Sequence, residues 1–113
     1  VTPNDLIDAL RDLDRELHST RVTTFYRSQD DESRARFVGL RGYVAQALAD
    51  ALHAQLDELA TALQQHDAEL SEGLADLKRA VRGLNDAVKT LNILGDVLTA
   101  LSKVVPGVLD HVL

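Results

Sequence analysis

Apolar residues recur along most of this chain at steps of three and four, the period of an α-helix that buries one face. The strongest case is the stretch from Leu91 to Leu109. Placed on a helix at about 100° per residue, Leu91, Leu94, Val97, Leu98, Leu101, Val105 and Leu109 fall on one half of the cylinder. Ile93, Ala100, Val104 and Val108 fall there too. Asn92, Asp96, Thr99, Lys103 and Asp110 take the other half. An apolar arc of about 180° is wider than the stripe of roughly 100° on an ordinary surface helix. One partner helix would leave part of it wet. The segment therefore calls for two neighbouring helices, a second subunit or a lipid surface.

The rest of the chain supplies neighbours. Leu6, Leu10, Leu13 and Leu17 form a stripe near the start, and the pattern weakens through the Thr-rich stretch after Ser19. With Pro3 at the entrance, Asn4 as N-cap and Asp5 and Asp8 in the first turn, this predicts a helix over 4–27. The polar run Ser28 to Ser33 predicts a loop that ends in N-cap residues. Phe37, Leu40, Val44, Leu48, Leu52, Leu56, Leu59 and Leu63 then set a second helix over 31–66, in which a four-residue step persists from Leu40 to Leu56. That step is longer than a strict heptad and favours a straight bundle over a tight supercoil. Between Gln64 and Gly73 the chain turns polar, and a reversal is expected there, followed by a third helix over 71–105. Pro106-Gly107 should stop or kink it, leaving 106–113 as a short apolar tail.

The expected architecture is all-α. It is a single domain, an elongated three-helix bundle built on a long antiparallel, coiled-coil-like hairpin of the second and third helices. Each arm would be about 35 residues and near 50 Å long, with the N-terminal helix packed alongside.

Composition supports the class and narrows the partners. With 113 residues, one domain is expected. Aromatic residues are only 4% of the chain, and Ala, Leu, Asp and Arg are abundant, as in helical proteins. The net charge of −6 is spread evenly, with no basic tail or stripe. This disfavours nucleic acid and strongly anionic membranes as partners. Cysteine is absent, so neither disulfides nor thiolate metal sites arise. The N-terminal segment is acidic and lacks the apolar core of a signal peptide. Together these tilt the expectation toward the cytoplasm. No run of 18 uncharged apolar residues is present, which disfavours a conventional membrane-spanning helix.

Candidate chemistry is sparse. Asp50, His53 and Asp57 could share a helix face, as could Asp14 and His18. These spacings are better explained as solvated faces opposite the leucine stripe than as metal ligands. No Gly-x-Ser-x-Gly turn and no Gly-rich phosphate loop is present. Arg34, Arg36 and Arg41 sit near a helix start, where an anion could dock, but Asp30, Asp31 and Glu32 stand beside them as partners. No catalytic residue, cofactor site or metal site is expected.

The function expected from this pattern is a non-enzymatic helical interaction or assembly module. It would self-associate, as a dimer, through the face formed by Leu91, Leu94, Val97, Leu98, Leu101, Val105 and Leu109, and could also take a protein partner. The alternative is a membrane-active helical protein, interfacial or pore-forming, that uses 91–109 against lipid.

Overall fold

Short polar side chains start most of the helices. In the computed structural model, which describes residues 2–105, Thr2 caps α1 (Pro3–Leu17). Its hydroxyl accepts from Asp5 N–H at 3.1 Å, and the Asp5 carboxylate accepts from Thr2 N–H at 3.2 Å. This reciprocal capping box places the N-cap two residues earlier than the expected Asn4. Ser19 caps α2 (Thr20–Arg27) by accepting from Val22 N–H. The helix expected over 4–27 is therefore two helices, because Ser19 prefers the capping conformation to a mid-helix one. Asp30 caps α3 (Asp31–His53), accepting from Ser33 N–H at 2.7 Å. That hydrogen bond holds the Asp30 carboxyl below the usual aspartate range.

The second expected helix, 31–66, also divides. The helical path stops at His53, and α4 (Leu56–Gly83) starts after Gln55, which makes no side-chain capping bond. The reversal expected near 64–73 is absent. In its place α4 runs through, with one distorted residue, His66, at φ −121° and ψ 17°. Leu63 and Leu70, both buried, keep the stripe in register across that kink. The polar residues between them include a solvated outer face.

The next break lies at Leu84, which adopts a left-handed conformation with φ 45° and ψ 41°. A side chain there costs about 1–2 kcal/mol relative to ordinary helical backbone. Leu84 offsets this by packing, half-buried, on the core. Asp86 then caps α5 (Ala87–Ser102), accepting from Lys89 N–H at 3.0 Å.

The described residues thus form five helices, and the chain is all-α. The long 31–66 and 71–105 hairpin does not form. Its antiparallel character survives in α4 and α5. Lys103 of the α5 end reaches Glu69 at 3.0 Å, and the Val97 side chain lies 3.2 Å from where a Cβ on Gly73 would stand. Pairs 69 with 103 and 73 with 97 run in opposite directions.

The four longer helices close into a ring. α1 packs on α3 and α4, and α5 packs on α4 and α3. The order around the bundle is α1, α3, α5, α4, so α3 and α4 lie on a diagonal although they are consecutive. The short α2 packs at one end, against α1 and α3. The principal extents are 42 × 24 × 20 Å. One leucine-rich core runs along the axis, with Leu6, Leu10, Leu63, Leu77, Leu98 and Leu101 among its most enclosed members.

At the α2 end the core becomes aromatic. The Tyr26 ring stacks on Phe37 with centroids 4.2 Å apart, and Phe25 meets Tyr26 edge-on at 5.1 Å. The Tyr26 hydroxyl donates to the Ala87 carbonyl at 3.1 Å, joining α2 to the start of α5. Burial pushes the phenol's pKa up, opposed in part by the Thr90 hydroxyl and Arg36.

Two outcomes follow. Leu98→Ala leaves a cavity at a fully buried core position and should cost about 2–5 kcal/mol in a urea or thermal melt. The raised Tyr26 pKa means the folded state holds the phenolic proton more tightly than the unfolded chain. Stability should therefore fall as pH rises from the ordinary tyrosine range through the raised value. Tyr26→Phe should remove its share of that alkaline loss while costing about 1 kcal/mol at neutral pH for the missing hydrogen bond. Urea midpoints measured from neutral to strongly alkaline pH test both parts.

Candidate interaction site

The wide apolar arc on α5 is covered from within the chain. Leu91, Leu94, Val97, Leu98 and Leu101 are all buried, as is Val105 just beyond the helix. Two neighbours share the cover, α4 on one side and α3 on the other. Leu109 and the tail 106–113 lie outside the described residues. Of the three ways to cover such an arc, the fold uses two neighbouring helices. The face expected to bind a second subunit is thus the centre of the single-chain core. A partner could reach it only if the bundle opened.

What remains on the surface is small and localised. The large apolar side chains that stay exposed are Leu52 at 51%, Leu56 at 60%, Val38 at 56% and Val88 at 53%. Leu52 and Leu56 form a pair. They flank the uncapped joint between α3 and α4, on either side of Ala54 and Gln55. Both belong to the four-residue step read from the sequence. The chain bends between them, so neither follows Val44 and Leu59 into the core.

The seam between α1 and α4 holds an open groove of about 400 Å³. Leu13, Leu74, Leu77 and Val81 give it an apolar lining, with Glu16 on the α1 rim and Lys78 on the α4 rim. Arg21 closes one end. Its guanidinium pairs with Glu16 and donates to the carbonyls of Val81 at 3.0 Å and Arg82 at 3.2 Å. Those carbonyls belong to the last turn of α4, where no further helical N–H is available to them. Arg21 therefore acts as a C-terminal cap delivered from another helix.

The polar constellations do not converge. His53 Nδ1 lies 2.7 Å from the Ala49 carbonyl and His18 Nδ1 lies 2.8 Å from the Asp14 carbonyl, so each ring is turned back onto its own helix. Asp50 is bonded by Gln46, and Asp57 lies across the joint from both Asp50 and His53. Among the described residues, no three His or carboxylate side chains gather as a metal site. His66 stands 3.7 Å from Glu69, whose carboxyl is held below the usual range, chiefly by Lys103. Arg34 pairs with Asp31, and Arg41 lies 5.1 Å above the Phe37 ring. Two of the three arginines at the start of α3 are thus occupied within the chain.

No described helix is long and apolar enough to cross a membrane. The chain matches no protein-family model, and it shows no significant similarity to a curated protein or to a solved structure.

The Arg21 cap is directly testable. Arg21→Ala should lower stability by about 1–2 kcal/mol, the range for charge-assisted hydrogen bonds discounted for a half-exposed site. Arg21→Lys should recover only part of it, because an ammonium lacks the fork that reaches two carbonyls and a carboxylate. Chemical denaturation of the three proteins gives the comparison.

Proposed function

We propose that this chain is a non-enzymatic helical interaction module that self-associates, with a second copy of itself as the partner. The observation that carries the reading is the pair Leu52 and Leu56. Each is more than half exposed on a leucine stripe that is otherwise buried or partly buried, and they flank the joint at one corner of the bundle. Two leucines that leave water on both copies supply a useful driving force, since full burial of one is worth roughly 1.5–3 kcal/mol. Asp50, Asp57 and Glu58 stand beside the pair with no Lys or Arg between Arg41 and Lys78, so contact there should tighten as salt screens the like charges.

The α5 face, whose apolar pattern reads as an interface in the sequence, enters this reading in a changed role. Its residues are already buried in the single chain. Self-association through it means opening the bundle and closing it again on a partner. Action on a lipid surface through the same face makes the same demand, and no exposed apolar strip on α5 beyond Val88 favours it.

Light scattering on a sizing column tests the reading. The wild-type chain should show a concentration-dependent dimer. Leu52→Asp and Leu56→Asp should stay folded, because both sites are exposed, yet raise the dissociation constant at least about tenfold each. Leu98→Asp should instead unfold the chain, because it places an unpaired charge in the core. A wild-type protein that stays monomeric at every accessible concentration would reject self-association. Binding to neutral vesicles by that monomer would favour the lipid alternative.

A further inference from the structure

We infer that the α3–α4 joint is the hinge of a helix exchange between two copies of the chain, in which α3 and α4 straighten into one helix. The α4–α5 half of each copy then completes the α1–α3 half of the other. This deepens the self-association reading and rests on it.

The joint is weak in local terms. From Ala45 to Ala60 the sequence contains no Gly, no Pro and no β-branched residue, and Ala, Leu, Gln and Glu, all good helix formers, make up most of it. The break nevertheless falls in its middle. Ala54 is extended, at φ −72° and ψ 151°, and its N–H makes the last hydrogen bond of α3, a 3.3 Å contact to Ala51. Gln55 follows at φ −69° and ψ 126° and caps α4 with no side-chain bond. By contrast, Thr2, Ser19, Asp30 and Asp86 all cap their helices with side-chain oxygens. The bend is imposed by packing, and the local sequence prefers to continue.

The topology lets it continue. α3 and α4 lie on a diagonal, so opening the joint tears no α3–α4 interface. The contacts that bind the two halves are α1 on α4, α3 on α5, Arg21 on the α4 carbonyls and Tyr26 on Ala87. A second copy can supply each of these unchanged. Only the joint differs, and there the exchanged form gains the helical hydrogen bonds that the bend forgoes. Straightening also brings Leu52 and Leu56, four residues apart, to one face of the long helix, at the junction where the two completed bundles meet end to end. In dilute solution the closed monomer wins, because its halves are held at high effective concentration by the joint itself.

The decisive variant is Gln55→Pro. In the closed form it fits: Gln55 already has a proline-like φ, and Ala54 has the extended conformation that precedes proline. In a straight helix it removes one hydrogen bond and its ring clashes with the Ala51 carbonyl. Wild-type and Gln55→Pro chains are refolded at high concentration and sized by light scattering, with circular dichroism to confirm the monomer fold. The wild type should yield a dimer, and Gln55→Pro should lose it by roughly 100-fold or more in dissociation constant. Because the chain has no cysteine, nitroxides on Ala35→Cys and Ala75→Cys, both exposed, report the joint cleanly. With labelled chains diluted into unlabelled ones, the exchanged dimer should give about 60 Å along a continuous helix. A closed bundle keeps the pair within about 35 Å, a helix diagonal plus the two label arms. A dimer that survives Gln55→Pro and keeps the short distance overturns the exchange while leaving self-association standing. A wild type that forms no dimer under these conditions overturns both.

Discussion

The fold depends on covering the apolar half-cylinder of α5. A face that wide cannot be satisfied by one neighbour, and α3 and α4 flank it from two sides. Once α5 takes both, α1 can close the ring only by touching α3 and α4 on their far sides. The diagonal relation of α3 and α4 follows. So does the need for the chain to bend sharply between them, at a place with no residue suited to bending. The exposed Leu52 and Leu56 are the local cost of that global arrangement.

The ends of the bundle show how unequal the joints are. At the α2 end the links are redundant. Tyr26 is stacked, edge-packed and hydrogen-bonded at once, and Arg21 ties α2 to both α1 and α4. At the α3–α4 corner the hydrogen bonds stay within each helix, Ala54 to Ala51 at 3.3 Å and Leu59 to Gln55 at 2.9 Å, and α4 starts with no side-chain cap. Opening is therefore polarised toward the corner, and the free energy of local opening should differ accordingly between the two ends.

Much of this was legible in the residues. The helical class, the start of α3 at Asp31 and the need of 91–105 for more than one neighbour all follow from period and capping chemistry. The breaks were harder. Ser19 is a good N-cap, and the fading stripe beyond it was a usable signal for a separate α2. Gly83, Asn85 and Asp86 offered a turn, but the heptad reads smoothly through them and hides it. At Ala54 and Gln55 there was nothing to see, because Leu48, Leu52, Leu56 and Leu59 keep step across the bend. The polar run from Gln64 to Gly73 suggested a reversal for the opposite reason: solvated residues on the outside of a helix resemble a loop when the stripe beneath them is only one residue in seven.

The local sequence and the fold disagree most sharply at the α3–α4 joint. A local preference for helix that tertiary packing overrides is stored free energy, and it stays available to any arrangement that keeps the same packing. A second copy is such an arrangement, because it repeats every contact between the two halves and asks nothing new of the core. The wide apolar face would then serve two states with the same residues. In the monomer it holds α5 against its own α3, and in the exchanged pair it would hold α5 against the partner's α3. On this view the arc that looked like an interface from the sequence and the core found in the fold are the same surface, closed once within a chain or once between two.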